Sequence, residues 1–510
     1  MVDPRTPVIV GVGQFTERID DPDYRGMSAV ELATEAVRAA LADTGADVAA
    51  VAKAIQVFAG LRQFEICTPF ASAPLGASDN YIRSVAQRVG ADPERAVLEP
   101  IGGNGPQKLV SEFGGAIAAG EIEVALILGS ENGSTLKTFA GRDDGPDHSE
   151  TVGGQLDDRG YGFEQYMSEY TAKHGLTGAP VQYGLLDNAR RRRLGLSVDE
   201  YRLAMAELFA PFSKVAAKNP FSSSPTERSV EELATVTVDN RMICDPYPRL
   251  MVARDTVNQG AAALIMSVDA ARKLGVPEEK WVYLHGHADQ REQDLLERED
   301  VSISYSSKQA VTEALRGTGI GIDDVATFDL YSCFPFPVFV VCDDFGLGAD
   351  DPRGLTLTGG LPYFGGPGNS YSLHGIAETV AAMRDKPGTF GLVGANGGVM
   401  SKYSVGVYST TPTEWVPDRS PALQADIAAL PKVAVTRNAN GAGVIETYSV
   451  RYDWPERTGV IIGRLDADNS RFMALTTDAA LLELMTDGDP LGAAITVTAG
   501  EDGINRAVLA

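Results

Sequence analysis

The sequence predicts an α/β fold laid down twice, followed by a small β domain of a different design. Three observations carry that prediction. Strand-like and helix-like segments alternate from the start of the chain, two short sequences return in the same order later, and the pattern changes to short alternating strands beyond Tyr408.

The first strand is read at Thr6–Phe15, rich in Val and Ile and ending in a Gly-containing turn. A helix follows, because Ser28 and Glu31 have capping-box spacing and Val30, Ala33, Val37, Ala40 and Leu41 fall on one stripe, with Gly45 as the stop. A strand near Ala54–Ala59, a helix near Asn80–Val89 and a strand near Ala96–Leu98 come next. Then Gly105–Ala119 reads as a helix and Glu123–Gly129 as a continuous apolar strand. The alternation predicts a mostly parallel sheet covered on both faces.

Thr34–Arg38 (TEAVR) returns as Thr312–Arg316 (TEALR), each followed by a Gly/Asp turn and an apolar strand, Ala54–Phe58 and Ala326–Leu330. Leu126–Gly133 (LILGSENG) returns as Leu392–Gly398 (LVGANGG) at nearly the same offset. Two echoes in one order predict a duplication. The division expected is a first half at 1–141, a polar helical and loop insertion at 142–254, a second half at 255–415 and a β domain at 425–510. The insertion is where ligand contacts are expected. STTPTEWVPDRSPA after Tyr408 reads as a linker. The last part reads as a barrel or sandwich of about six strands (432–436, 443–452, 459–464, 471–475, 494–498 and 505–509) with one helix at 478–485.

The bulk numbers exclude several classes. With 510 residues, 44% hydrophobic and 22% charged, the chain is globular rather than disordered. Its longest apolar runs, Val124–Leu128, Ala261–Met266 and Phe334–Cys342, are far shorter than the ~20 residues of a membrane span. The start MVDPRTPVIVGVGQF lacks a basic segment followed by an apolar one, so the expectation is a cytoplasmic protein. A net charge of −25 repels nucleic acid but leaves room for a small anion in a local basic pocket. Cys67, Cys244, Cys333 and Cys342 lie far apart without CxxC or His companions, which argues against a structural metal site and a disulfide framework.

Four stretches resemble the thiolase superfamily, in particular the sterol-carrier-type thiolases and their actinobacterial thiolase-like relatives. They are Gly115–Asn132 (helix, AG, strand, GxE), Pro246–Met266 (a strand with Gly-Ala-Ala), Phe328–Val338 (FDLYSCFPFPV, at the His-Asp-Cys-Phe loop), and Gly359–Asn369 with Leu392–Ser409 (the GHP and CxG loops). The resemblance covers about residues 5–415 and implies a duplicated thiolase fold of five layers, α/β/α/β/α. The remainder would add a small antiparallel, OB-like β-barrel. It also implies an acyltransferase of acyl-CoA or lipid metabolism, an acetyl-CoA acetyltransferase by homology. Coenzyme A or an acyl-CoA is the ligand to expect, and a homodimer is the default, with a monomer open because the extra domain could cover the usual surface.

The chemistry that the family needs is a thiolate nucleophile, a histidine, a second cysteine and two oxyanion holes. Matched position by position, the nucleophile falls at Gly103, the GHP histidine at Gly366, and the CxG cysteine and glycine at Ala395 and Gly397. The His and Asp of the His-Asp-Cys-Phe motif fall at Tyr331 and Ser332. No cysteine lies between Cys67 and Cys244, so a shift of a few residues restores nothing. The expectation is a protein inactive in thiolysis and Claisen condensation.

What remains is Tyr331, a phenol able to serve as general acid or base, and His374, eight residues beyond Gly366. These suggest a retro-aldol lyase acting on a β-hydroxyacyl-CoA, like the aldolase-like members of the superfamily. Each residue has a plainer reading as packing or capping. The run Arg190–Arg193 suits the 3′-phosphate of coenzyme A, or else a solvated helix face; it fits a second alternative, a non-catalytic acyl-CoA or lipid-binding protein. Gly102, Gly103 and Gly105 would present N–H groups to an anion or carbonyl oxygen. His285 and His287 alternate as in a strand, with no third metal ligand evident.

Overall fold

The computed structural model describes residues 2–70, 72–162, 167–452 and 456–510. In chain order the described strands begin with β1 (Pro7–Thr16), β2 (Val57–Leu61), β3 (Arg95–Glu99) and β4 (Val124–Asn132). The insertion holds β5 (Asp157–Asp158), β6 (Met242–Cys244) and β7 (Tyr247–Pro248). Then come β8 (Asn258–Ser267), β9 (Val282–Arg291), β10 (Val325–Leu330), β11 (Phe390–Gly397) and β12 (Lys402–Ser409). The C-terminal part supplies β13 (Gly441–Arg451), β14 (Thr458–Leu465), β15 (Arg471–Thr476), β16 (Ala494–Ala499) and β17 (Asn505–Leu509).

Ten strands form one sheet in the order β10-β11-β12-β9-β1-β8-β4-β2-β3-β5. The duplication is visible in that order: β2-β4-β8-β1 in one half answers β10-β11-β12-β9 in the other. The halves meet where Val8 and Ile9 pair with Tyr283 and Val282. TEAVR lies on the helix Ala29–Asp43 that packs on β1, and TEALR on the helix Tyr305–Thr318 that packs on β9. Strand β8 sits between β1 and β4, so the strand run of the first half continues past residue 254.

The sheet is mixed rather than mostly parallel. Parallel pairing is confined to β2 with β3 and β4, β3 with β5, and β10 with β11. Strands β8 and β12 run antiparallel to both neighbours. The sequence pattern misses this because a strand buried on both faces looks the same in either direction. Ser28 and Glu31 do form the capping box read from their spacing. The helices Gly105–Ala119 and Tyr371–Asp385 touch each other and strands of both halves, making the central layer of an α/β/α/β/α arrangement.

The C-terminal domain is a closed barrel, β13-β14-β15-β17-β16-β13, with the helix Ala479–Asp487 between β15 and β16. It has its own core, including Ile445, Tyr448, Ile461, Phe472 and Ile495. Two expectations are corrected. Five barrel strands occur among the described residues, because Lys432 and Val435 make only isolated bridges to Arg298 and Arg471. The barrel is also not wholly antiparallel, since β15 closes on β17 in parallel. The segment read as a linker is packed down: Thr411 and Val416 carbonyls accept from His285 and His287 (2.7 and 3.0 Å), and Trp415 stacks on His287. These two imidazoles are thereby partnered, and no group of three or more metal-ligand side chains occurs among the described residues. Among those residues no helix is long and apolar enough to cross a membrane.

Candidate functional site

The loops singled out in the sequence converge at the start of the central helix Gly105–Ala119. The Gly102 N–H donates to Asn369 Oδ1 (2.8 Å), and Ser372 Oγ donates to the Gly103 carbonyl. The Tyr331 N–H donates to the Gly394 carbonyl at 2.9 Å, joining the end of β10 to β11. Gly397 lies so close to the first loop that a Cβ there would stand 2.3 Å from Asn104 Oδ1. Gly366 donates to the Arg254 carbonyl at 2.8 Å and is buried. Asp329, on β10, accepts from the N–H groups of Leu357 and Thr358 (both 2.9 Å) and so shapes the loop leading to Gly359.

The decisive contact is between Gly103 and Tyr331. A Cβ built on Gly103 would lie 2.3 Å from the Tyr331 hydroxyl oxygen and 2.5 Å from its Cζ. The ring therefore fills the volume into which a side chain at position 103 would project. Tyr331 is buried, packs edge-on against Tyr371 (5.3 Å), and its hydroxyl has no hydrogen-bond partner among the described residues. Burial, with Cys333 adding to it, holds the phenol well above its usual pKa, so it stays protonated at neutral pH.

His374 is fully buried on the helix Tyr371–Asp385, with Nδ1 on Gln14 Oε1 of β1 (2.8 Å) and Nε2 unpartnered among the described residues. Burial lowers its pKa to about 3, so the imidazole is neutral. Tyr371 and Phe364 stand between it and Tyr331 in a chain of edge-on rings at 5.3, 6.1 and 5.0 Å. These rings separate the two residues, and neither lines the two cavities described below.

The Arg190–Arg193 run is committed elsewhere. Arg190 makes a two-pronged pair with Asp343 (2.9 and 2.7 Å) and lies over Phe339. Arg191 makes another with Asp489 (2.8 and 2.8 Å), Arg192 reaches the Ile445 carbonyl, and Arg193 reaches Ser302 and Asp343. The contacts these four supply bolt the helix Ala179–Leu194 to the second half and to the barrel, while Arg192 and Arg193 also border a cavity with Glu446 and Arg464. That same helix does reach the central loops: Tyr183 stacks on Phe334 (4.6 Å) and accepts from Asn396 Nδ2 at 2.6 Å. Of the three loop glycines, Gly102 and Gly105 have their N–H groups taken by Asn369 and by the Gly102 carbonyl.

The sequence reading missed a polar cavity of about 250 Å³ beside this loop, lined by Lys108, Arg159, Arg291 and Lys402 with Glu99 and Asp289. The available signal was Lys108 one turn into the central helix and Lys402 at the first position of β12. It is faint, because the four cations come from separated segments.

With this geometry in place, comparison with solved structures decides the family. A crystal structure of a monomeric SCP2-thiolase-like protein type 1 from Mycobacterium smegmatis shares 64% identity over 100% of both chains, with a TM-score of 0.87. This chain belongs to the SCP2-thiolase-like protein type 1 family. The family model described as the thiolase-like protein type 1 additional C-terminal domain matches residues 422–502, which hold barrel strands β13 to β16. The type 1 fold is also shared at a distance. The Ltp2–ChsH2(DUF35) aldolase is 18% identical over 80% of this chain and 98% of its own, with a TM-score of 0.56. Human mitochondrial 3-ketoacyl-CoA thiolase is 15% identical over 80% and 99%, also at 0.56. No curated protein matches the chain significantly.

Proposed function

We propose that this SCP2-thiolase-like protein works in acyl-CoA or lipid metabolism as a binding protein that does not carry out covalent acyl transfer. The observation that supports this is the packing of the Tyr331 ring onto Gly103, which leaves no volume for a nucleophile at that position. The three buried cysteines offer no substitute. Burial pushes the Cys333 and Cys342 thiols up to about 12 and Cys244 higher still, so none of the three is a ready thiolate at neutral pH. Coenzyme A or an acyl-CoA would then be held without turnover.

A second reading, a retro-aldol lyase using Tyr331, has the fold likeness to the aldolase in its favour. The protonated, enclosed phenol and its separation from His374 weigh against it. We also read the protein as a monomer: β5 of the insertion pairs along the outer edge of β3, and Arg62 holds Asp158 of β5 in an ion pair. At Val97 and Leu98 that edge is already taken, which disfavours pairing with a second copy there.

The test is turnover by the purified full chain. Acetoacetyl-CoA with coenzyme A should show no thiolysis above the uncatalysed rate; robust turnover overturns the proposal. Cleavage of a β-hydroxyacyl-CoA that disappears in Tyr331→Phe would establish the lyase instead.

A further inference from the structure

The cavity of about 250 Å³ next to Asn104 and Gly105 gathers four cationic side chains in a chain of net charge −25. Two of its cations are spoken for. Lys108 pairs with Glu99, and Arg159 pairs with Glu99 and Glu112 (2.9 and 2.6 Å). The other two are not. Lys402 donates only to the Ile101 carbonyl (3.2 Å), and neither it nor Arg291 has a carboxylate at ion-pair distance among the described residues. The one remaining acid, Asp289, is turned to Ser404 and Asn104, and burial pushes its carboxyl above the usual range.

Burial first, then the charges of Arg291 and Lys108, hold the half-buried Lys402 ammonium below its usual pKa. Like charges gathered in a partly desolvated cavity repel, and an anion entering among them removes that cost. The positive end of the Gly105–Ala119 helix adds to the same potential.

We infer that this cavity binds a phosphate monoester, with the phosphoryl group between Lys402 and Arg291. Cationic donors reach the cavity from β9, from β12 and from the first turns of the central helix, so they surround a tetrahedral group better than a planar one. The charge near −2 of a phosphate monoester at neutral pH suits the two unpaired cations. The organic part has a place. Lys108, Asp289 and Arg291 also wall a neighbouring groove of about 810 Å³ that continues along Trp415 and Pro417 with a mainly apolar surface. The site differs from the Arg190–Arg193 run, where Arg190 and Arg191 are paired with Asp343 and Asp489.

Equilibrium binding tests this independently of any acyl transfer. Phenyl phosphate, inorganic phosphate and benzoate are titrated into the full chain by calorimetry at constant ionic strength. Phenyl phosphate should bind saturably, at least ten-fold more tightly than benzoate and more tightly than inorganic phosphate. Lys402→Met and Arg291→Ala should each weaken it at least ten-fold. In phosphate-free buffer of low ionic strength, Lys402→Met should melt no lower than the parent protein, because it relieves repulsion. Absence of saturable binding, equal affinity for benzoate or for inorganic phosphate, or binding unchanged in the folded Arg291→Ala variant would each overturn the inference.

Discussion

The Tyr331 hydroxyl lies where a Cβ on Gly103 would have to be, 2.3 Å from that position. Glycine at 103 and tyrosine at 331 are thus a matched pair, and introducing a cysteine at 103 alone should not create a nucleophile. Gly103→Cys should instead destabilise the protein by about 1–3 kcal/mol, as overpacking of a filled core does. Tyr331→Ala should cost about 3–5 kcal/mol by itself. The double variant should be more stable than the sum of the two losses predicts, by about 1–2 kcal/mol, in a double-mutant cycle of urea unfolding. Strict additivity would mean that the two residues are not coupled.

Arg191 is about 1% exposed and is neutralised by Asp489, itself about half exposed, at the junction of the insertion with the barrel. Asp489→Ala leaves that guanidinium buried with Asn188, the Leu196 carbonyl and the neighbouring Tyr448. The expected loss is about 1–3 kcal/mol, below the figure for a wholly buried pair because water screens Asp489. Hydrogen exchange should quicken first in β13, whose carbonyl at Ile445 accepts from the adjacent Arg192.

Asp187 is fully buried and accepts from the Tyr201 and Tyr247 hydroxyls. Burial outweighs these bonds and raises its carboxyl to about 6, whereas the unfolded chain titrates near ~3.9. The folded state therefore binds the proton more tightly. This group's contribution is fully present below pH ~4 and is lost as pH rises through about 6. Asp187→Asn should flatten the pH dependence of unfolding in that window and leave the protein about 1–3 kcal/mol less penalised at pH 7.

His374 shows the opposite linkage. Its folded pKa of about 3 lies below the unfolded value near ~6.5, so stability falls as pH drops below about 6.5 and levels off near 3. Its imidazole resonances should not titrate between pH 8 and 5. A midpoint near neutrality would place a working acid–base group there and revive the lyase reading.

The paired edge of β3 predicts a monomer by light scattering at micromolar concentration. Arg62→Ala, which removes the ion pair to Asp158, should loosen β5 and promote concentration-dependent association.

Much of the fold was legible because it is written in local pattern. The capping box at Ser28 and Glu31, the five-residue TEAVR and TEALR segments and the individual barrel strands are each short runs of neighbouring residues. The family resemblance added the five layers and the expectation of a changed centre. Strand direction was not legible, since β8 and β12 are buried on both faces and carry no alternation to read. The fate of Arg190–Arg193 was not legible either, because Asp343 and Asp489 are far away in the chain.

The sequence by itself determined that position 103 carries no thiol and that no cysteine stands near it. Only the tertiary structure decided what occupies that space, and that Lys402 and Arg291 share a cavity without a carboxylate partner among the described residues. The physical reason is the same in both cases. Residue type and spacing act through neighbours along the chain, while packing volume and uncompensated charge are set by side chains that meet only when distant strands and helices come together.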